Sequence, residues 1–218
     1  PKGTSVVGSI RLGVEDLLVR EGPPPREQPA PRRKPPRVEP STPMTTAFVL
    51  QTLAELRAPD SIVVEEAPSA RAPMHAHLPI LRSETFYTMC SGGLGYSMPA
   101  AVGIALAKPG AKVIALIGDG SSMYSIQALW SAAQLELPVA FVVLKNRRYA
   151  VLQEFAPAFG FAHDEPLPGT ELPGIDFVAL ARGMGCKGVN VDRAEALRDT
   201  LEAALQEKTP VLVEVDVA

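Results

Sequence analysis

The sequence is poor in the features on which several classes of protein depend. It has only two cysteines, Cys90 and Cys186, whose spacing matches no metal site, so both are predicted to be small buried residues rather than disulfide partners or nucleophiles. No run approaches roughly 18 apolar residues and no signal peptide opens the chain, which predicts a cytoplasmic protein without a membrane-spanning helix. A net charge of -3 gives no indication of a nucleic-acid or acidic partner.

What is present is typical of a globular protein. The 218 residues are 46% hydrophobic and 21% charged, which suits one ordinary domain and a short appendage. Residues 23–43 hold nine prolines, as an extended connector does. Its basic residues Arg32, Arg33 and Lys34 are interpreted as a solvated face rather than a nucleic-acid contact. Before it, Ser5–Ile10 is predicted to be a strand leading into a short amphipathic helix, a segment too short to bury a core.

After the connector, the pattern alternates between helices and strands. A helix is predicted first, with Thr42 as its N-cap and Pro43 at the first helical position. A strand is predicted over Ser61–Val64, and the chain closes with a helix near Ala194–Glu207 and a strand over Val211–Val215. This alternation predicts an α/β fold: a doubly wound, mostly parallel sheet with helices on both faces and ligands at its carboxyl edge.

The main functional pattern lies in one strand–helix–strand unit. Ala111–Ile117 and Pro138–Leu144 are short apolar runs typical of buried parallel strands, and Ser125–Gln134 between them has apolar residues at helical spacing. Such a crossover is right-handed and makes the strands parallel, so Asp119 and Asn146 follow their carboxyl ends. If the strands are neighbours, roughly 4.8 Å apart, the two side chains can share one Mg²⁺, which prefers hard oxygen ligands completed by phosphate and water.

The glycines beside the aspartate fit an anion-binding turn. Gly118 and Gly120 have no Cβ, so the turn can bend sharply and bring main-chain N–H groups close to a ligand. Ser121 or Ser122 is predicted to cap the following helix, whose positive end favours an anion such as a diphosphate. Gly-Asp-Gly alone is also a common tight turn, and the functional interpretation depends on the strands and the asparagine around it.

Together these residues resemble a known family. The Gly-Asp-Gly turn at 118–120, with Asn146 placed 27 residues after the aspartate, is similar to the metal and diphosphate motif of thiamine diphosphate (ThDP)-dependent enzymes. Phe86–Ala107, which contains the Gly-Gly-Leu-Gly segment Gly92–Gly95, is similar to the same family. The resemblance covers residues 44–218 without a break and is strongest to the benzoylformate decarboxylases.

The resemblance implies how the chain divides. Residues 44–218 look like the C-terminal ThDP diphosphate- and Mg-binding domain, residues 23–43 like a linker, and residues 1–22 like the C-terminal remnant of a central domain. The pyrimidine-binding domain and the family's catalytic glutamate and histidines lie outside this chain. Glu65 and Glu66, by resemblance, belong to the domain's framework and do not replace that glutamate. We therefore expect no catalytic residue here and no activity from the isolated chain.

The resemblance also implies roles for individual residues. Asp119, Asn146 and the carbonyl group of Arg148 look like the Mg²⁺ ligands. The Gly92 carbonyl group would accept a hydrogen bond from the cofactor's 4′-amino group, and Leu94 would force the cofactor into its bent shape. The cofactor would lie against the pyrimidine-binding domain of a neighbouring subunit, in a homodimer or homotetramer. The implied cofactor contacts are Ser69, Gly92, Gly93, Leu94, Gly118, Gly120, Ser121, Asn146, Arg148 and Tyr149.

Two positions depart from the family pattern. The family usually has two adjacent asparagines where this chain has Lys145 before the ligand, and coordination should survive because the ligand is the second. A pair of diphosphate-binding hydroxyl residues corresponds here to Pro68 and Ser69, and proline cannot donate a hydrogen bond, so affinity for the diphosphate should be lower. Arg147 and Arg148 replace small residues and are expected to compensate electrostatically.

The substrate is indicated by a few apolar positions. Leu152 and Phe155 are spaced three apart, which places them on one face of a short helix. By resemblance they line an aryl pocket opposite Thr88, although ordinary core packing explains the spacing equally well. The resemblance implies a ThDP- and Mg-dependent, non-oxidative 2-oxo acid decarboxylase acting on benzoylformate (phenylglyoxylate). An acetolactate-synthase-like carboligase fragment and a non-catalytic cofactor-binding fragment stay open as alternatives.

Overall fold

The computed structural model describes Gly3 and residues 5–22, 24–27, 35–162 and 165–218. The chain divides into two units, within Pro1–Lys34 and within Pro35–Ala218. The basic residues predicted to form a solvated face of the connector, 32–34, lie outside the described residues.

In the first unit, the described residues form helix α1 (Ile10–Leu18). Ser9 is its N-cap, and the Ser9 hydroxyl oxygen accepts a hydrogen bond from the N–H of Leu12. The predicted amphipathic helix is confirmed, but all of its residues are exposed. The predicted strand over Ser5–Ile10 is wrong, because the helix already begins at Ile10 and none of the described residues pairs with this segment as a strand.

The second unit alternates strands and helices along the chain. The strands are β1 (Ile62–Glu66), β2 (Phe86–Thr88), β3 (Val113–Gly118), β4 (Val139–Lys145), β5 (Lys187–Val191) and β6 (Val211–Asp216). The α-helices are α2 (Thr46–Leu56), α3 (Arg71–His77), α4 (Ser97–Ala107), α5 (Asp119–Ser122), α6 (Ala128–Gln134), α7 (Ala150–Phe155), α8 (Phe177–Gly183) and α9 (Ala194–Gln206). Short 3₁₀ helices cover Pro68–Ala70 and Ala156–Phe159.

The strands form one parallel six-stranded sheet in the order β2-β1-β3-β4-β6-β5. The predicted strand–helix–strand unit is confirmed: β3 and β4 are neighbours, with Gly118 opposite Leu144, and α6 lies between them in the chain. Asp119 and Asn146 therefore follow adjacent strand ends at the same edge of the sheet.

Hydrophobic layers cover both faces of the sheet. Alternate residues of β3 point to opposite faces, because successive side chains of a strand alternate. Ile114 and Leu116 belong to a buried cluster with Leu201 of α9, whereas Ala115 and Ile117 belong to a second cluster with Met98 of α4. Burying one large aliphatic side chain contributes about 1.5–3 kcal/mol. The two layers confirm the predicted doubly wound α/β fold with helices on both faces.

The start of α2 differs from the sequence prediction. Its N-cap is Thr45, whose hydroxyl oxygen accepts a hydrogen bond of 3.2 Å from the N–H of Phe48, and not Thr42. The peptide bond between Thr42 and Pro43 is cis, and Pro43 lies before the helix. The prediction of Thr42 as the N-cap and Pro43 as the first helical residue is therefore wrong.

The two cysteines lie in different environments. Cys186 is buried, its thiol donates a hydrogen bond to the Leu129 carbonyl group, and burial raises its pKa to about 11. Cys90 is exposed in the loop that follows β2, so the prediction that both cysteines are buried is wrong for Cys90.

Within the described part of the chain, none of the helices has both the length and the apolar character needed to cross a lipid bilayer. The longest of them, α9, has 13 residues.

Candidate functional site

A cleft lies at the carboxyl edge of the sheet, beside the ends of β1, β3 and β4. The strand order reverses here, because β1 is followed in the chain by β2 on one side, whereas β3 is followed by β4 on the other. Ligands of open α/β sheets bind at such reversal points. The residues predicted from the sequence that line the cleft are Ser69, Leu94, Gly118, Asp119, Gly120, Ser121, Arg148 and Tyr149. The structure thus brings together residues from four separate segments of the chain.

Asp119 lies at the centre of this cleft, directly after β3. Its side chain is buried, and each carboxylate oxygen already accepts a main-chain hydrogen bond: Oδ1 from Gly120 at 2.8 Å and Oδ2 from Arg147 at 2.6 Å. Burial raises the pKa of Asp119 above its usual range, and the main-chain N–H groups around it oppose part of this rise. A carboxylate oxygen has more than one lone pair, so both oxygens can still bind a cation.

The loop after β4 is held in place by main-chain hydrogen bonds. The Arg147 carbonyl group accepts a hydrogen bond of 2.7 Å from Leu172, and the Tyr149 N–H donates one of 2.7 Å to Thr170. The Asn146 side-chain oxygen accepts a hydrogen bond of 3.2 Å from the N–H of Arg148. The two predicted ligands after β4, the Asn146 amide and the Arg148 carbonyl group, therefore belong to a well-anchored loop.

Gly120 lies against the ring of Tyr149. A Cβ at this position would lie 2.4 Å from Tyr149 Cε1, closer than any normal contact. Ser121 and Ser122 are both buried in α5, and the Ser122 hydroxyl donates a hydrogen bond to the Asp119 carbonyl group. The prediction that a serine caps the next helix is wrong: α6 begins after Gln127, with no side-chain cap.

The glycine-rich loop Gly92–Gly95 joins β2 to α4. Gly92 and Gly95 have φ angles of 76° and 92°, in the left-handed region that favours glycine. Leu94 lines the cleft and is 37% exposed, whereas Gly92 and Gly93 are exposed and lie outside the set of residues that line it.

Glu66, the last residue of β1, holds the end of this loop. Its carboxylate accepts hydrogen bonds of 2.6–2.7 Å from the N–H groups of Gly95, Tyr96 and Ser97. Local sequence reasoning missed these contacts, since the partners lie 29 to 31 residues further along the chain. The sequence signal for these contacts was an acidic residue at the end of a strand. In the structure, that residue lies beside the start of α4, which has no side-chain cap of its own.

The residues predicted to line a substrate pocket lie on two elements, α7 and the end of β2. Leu152 and Phe155 lie on the same helix, α7, as expected from their spacing, and are 53% and 59% exposed. Thr88 is also exposed, and its hydroxyl donates a hydrogen bond of 2.6 Å to Glu65. These side chains are therefore not core residues of this chain. Their part in an aryl pocket stays a prediction.

The two arginines of the loop after β4 point in different directions. Arg148 lines the cleft, whereas the guanidinium group of Arg147 donates a hydrogen bond of 2.6 Å to Asp216. Lys145, the residue that departs from the family pattern, forms a largely buried ion pair of 2.6 Å with Glu214. Of these three cations, only Arg148 is among the residues that line the cleft, so it is the one placed to offset the charge of a diphosphate.

The residues of the cleft fit Mg²⁺ and a diphosphate. Of the three predicted metal ligands, Asp119 and Arg148 line the cleft, whereas Asn146 follows β4 and lies outside the set of residues that line it. A carboxylate, an amide and a main-chain carbonyl group are oxygen donors of the kind that suit a hard cation with water and phosphate ligands. Among the described residues, no group of three or more His, Cys, Asp or Glu side chains could hold a metal ion. The ring of Tyr149 packs where a Cβ of residue 120 would lie, so glycine at this position lets the ring line the cleft.

Comparison with known proteins identifies the class. Residues 69–215 match the model of the thiamine pyrophosphate enzyme C-terminal TPP-binding domain. The matched range covers Ser69, the glycine-rich loop, the turn after β3 and the loop after β4. The chain belongs to this family of thiamine pyrophosphate-dependent enzymes.

Individual relatives narrow the class further. The chain is 38% identical over 216 residues to benzoylformate decarboxylase of Pseudomonas aeruginosa, covering 99% of this chain and 40% of the relative. A Rhodococcus jostii ThDP-dependent 4-hydroxybenzoylformate decarboxylase superposes with a TM-score of 0.84 and 33% identity, covering 100% of this chain and 41% of that protein. The fold and the resemblance to the benzoylformate decarboxylases predicted from the sequence are therefore confirmed.

Acetolactate synthases are also among the relatives. A putative acetolactate synthase large subunit of Mycobacterium tuberculosis is 34% identical over 188 residues, covering 81% of this chain and 35% of the relative. The chain thus spans about two fifths or less of the length of these proteins.

Proposed function

We propose that this chain is the metal- and diphosphate-binding part of a ThDP- and Mg²⁺-dependent decarboxylase that converts benzoylformate to an aldehyde and CO₂. The observation that carries the proposal is the buried Asp119 carboxylate, bonded both to its own Gly-Asp-Gly turn and to the loop that holds Asn146. The similarity to two decarboxylases of benzoylformate-type acids supports the choice of substrate.

Different residues of the chain would bind the metal ion and the diphosphate. Asp119, Asn146 and the Arg148 carbonyl group would hold Mg²⁺, and the metal would in turn bind the diphosphate oxygens. Ser121, Ser69 and Tyr149 would contact the diphosphate directly, with the guanidinium group of Arg148 nearby. When bound, ThDP supplies the electron sink that makes loss of CO₂ from a 2-oxo acid possible.

The remaining parts of the active site would come from outside this chain. We propose that residues 44–218 form the diphosphate-binding domain, with residues 1–22 the end of a central domain and 23–43 a linker. A pyrimidine-binding domain of a neighbouring subunit would complete the site in a cytoplasmic homodimer or homotetramer. The exposure of Leu94 at the cleft, and of Leu152 and Phe155 on α7, supports this arrangement, since exposed large apolar patches mark interaction surfaces.

The activity can be tested directly. The full-length product of the gene should release benzaldehyde and CO₂ from benzoylformate in the presence of ThDP and Mg²⁺, and omission of either should abolish turnover. The 218-residue chain alone should show no turnover, because in this proposal the catalytic glutamate comes from a pyrimidine-binding domain. Benzoylformate turnover by the short chain would contradict the proposed division of the site.

A carboligase is the second candidate, because acetolactate synthase relatives cover most of this chain. The same preparation should then convert two molecules of pyruvate into one acetolactate and one CO₂ rather than release an aldehyde. Product analysis with benzoylformate and pyruvate in parallel separates the two activities. Acetolactate as the main product would replace the decarboxylase proposal.

A further inference from the structure

The carboxylate of Glu66 is buried, and it accepts hydrogen bonds from one short segment of the chain, Gly95–Ser97. Its residue is 2% exposed. Oε1 accepts a hydrogen bond of 2.7 Å from Gly95, and Oε2 accepts bonds of 2.7 Å from Tyr96 and 2.6 Å from Ser97. Hydrogen bonds to a charged acceptor at this length are among the strong ones in proteins. Both oxygens are thus in use.

The partners of Glu66 are the groups that would otherwise be left without acceptors. Helix α4 begins at Ser97, its N-cap residue Tyr96 supplies no side-chain cap, and the first N–H groups of a helix have no acceptor within it. Glu66 supplies the missing acceptor from a different element, the end of β1, where it lies opposite Ile117 of β3. The carboxylate therefore ties the glycine-rich loop to the strands that carry the metal turn.

The loop itself has little else to fix it. Gly92, Gly93 and Leu94 are all exposed, so burial does not hold them. Gly95 has a left-handed φ of 92° and lies beside Tyr124, and α4 begins two residues later at Ser97. The position of Leu94 in the cleft thus depends on how firmly the next residue is held.

We propose that Glu66 is a positioning residue for the cofactor: by holding Gly95–Ser97 it sets the place of Leu94 and Gly92 against the ring portion of ThDP. The diphosphate end, bound at Asp119 and its neighbours, is not governed by this contact. The inference rests on the proposed function, because the contact between the loop and the cofactor is part of that proposal.

Glu66→Gln tests the carboxylate with almost no change of shape. In either orientation the new NH₂ group faces at least one N–H donor of the segment, so a hydrogen bond is replaced by a repulsive contact. Glu65→Gln is the matched control in the adjacent residue. Glu65 Oε1 accepts from Ala67 and Oε2 from the Thr88 hydroxyl, and that hydroxyl can rotate to accept from an amide.

Two ligands distinguish binding of the ring portion of the cofactor from binding of its diphosphate. Calorimetry on the full-length protein would compare ThDP with Mg²⁺ against inorganic pyrophosphate with Mg²⁺. We expect Glu66→Gln to weaken ThDP binding about 10- to 100-fold, the usual effect of losing a group that orients a binding residue. Pyrophosphate binding should stay unchanged, and Glu65→Gln should alter neither. In the absence of ligand, amide hydrogen exchange at Gly95 and Tyr96 should be faster in Glu66→Gln.

The outcomes separate this inference from the proposed function. Wild-type protein that binds both probes, with ThDP affinity unchanged in Glu66→Gln, overturns the inference alone, and so does an equal loss for both probes. Wild-type protein that binds neither probe overturns the proposed function and this inference with it. If Glu66→Gln does not fold, Glu66→Asp keeps the charge but withdraws it by one methylene group, and the same ThDP-selective loss is expected.

Discussion

The main-chain N–H of Arg147 donates a hydrogen bond of 2.6 Å to Oδ2 of Asp119. This bond joins the turn after β3 to the loop after β4, so the two proposed halves of the metal site hold one another in place before any metal binds. Arg147 has a φ of 59°, a conformation that is unfavourable for a residue with a Cβ. The backbone of the loop is therefore strained at Arg147, the residue that bonds to Asp119.

Asp119→Asn should remove most of the affinity for Mg²⁺. The amide has one oxygen where the carboxylate has two, and its NH₂ group must face the N–H of either Gly120 or Arg147. We expect the affinity, measured by calorimetry with Mg²⁺ and pyrophosphate, to fall by more than about 100-fold, beyond the effect of an outer ligand partner. Asp199→Asn, an exposed aspartate on α9, is the control and should bind as wild type does. Retained affinity in Asp119→Asn would place the metal elsewhere.

Gly120→Ala should disturb the ring of Tyr149. The added Cβ would lie 2.4 Å from Cε1, so the ring must move. Forcing an extra methyl group into a packed site costs about 1–3 kcal/mol, and unfolding in urea would measure the loss of stability. Diphosphate affinity should fall in the same variant.

The matched control is Gly103→Ala in α4, where no atom lies within 4 Å of the added Cβ. An exposed helical glycine changed to alanine should gain about 0.5–1 kcal/mol. If both variants gave the same change in stability, the contact between Gly120 and Tyr149 would not be limiting.

Pro68→Thr should raise the affinity for the diphosphate. Pro68 lines the cleft at the first position of a 3₁₀ helix and can donate no hydrogen bond. Threonine adds a hydroxyl group, and one hydrogen bond to a charged group contributes about 1.5–3 kcal/mol, or roughly 10-fold or more in affinity. Titration of the variant with pyrophosphate in the presence of Mg²⁺ measures this change in affinity. Pro109→Thr in an exposed turn is the control, and equal affinity of all three proteins would contradict the prediction.

Lys112 should make stability depend on alkaline pH. Burial lowers its pKa to about 8, and the carboxylate of Glu207 offsets only part of this effect. In the unfolded chain the pKa of a lysine is about 10.4. Between these values the unfolded chain holds a proton that the folded chain has lost, so this group makes the free energy of unfolding rise with pH.

Lys112→Met removes this contribution. The free energy of unfolding of the variant minus that of the wild type should be level below about pH 8 and should decrease from there to about pH 10.4. Urea unfolding at several pH values measures the difference. Lys208→Met, at an exposed lysine, is the control. A difference that is the same at pH 7.5 and pH 10 would show that Lys112 does not titrate as expected.

Most of the fold could be predicted from local pattern. The apolar runs around Ile117 and Leu144 are long enough and sharply enough bounded to define β3 and β4, and their parallel pairing follows from the helix between them. The segment Ser5–Ile10 shows the limit: its β-branched residues fit a strand, but a strand needs a neighbour, and Ser9 instead caps a helix. Local composition does not reveal whether a neighbour exists.

The candidate site was predictable where it follows strand ends and glycine turns. Ser69, Asp119 and Tyr149 line one cleft because β1, β3 and β4 end at the same edge. The contacts of Glu66 with Gly95 and of Arg147 with Asp216 were not predictable, since they join residues 29 and 69 positions apart. Which charged side chain turns towards a cleft is decided by such distant partners and not by its neighbours in the sequence.

The edge of the sheet opposite the cleft offers a place for engineering. The turn Lys108–Ala111 joins α4 to the start of β3, and a Cβ added at Gly110 within it would meet no other atom. Because the proposed binding residues gather at the carboxyl ends of the strands, this turn is separated from them by the length of β3. A reporter peptide or an affinity tag inserted at Pro109–Gly110 should leave cofactor binding intact, so that the domain can be labelled for imaging or capture without losing its site.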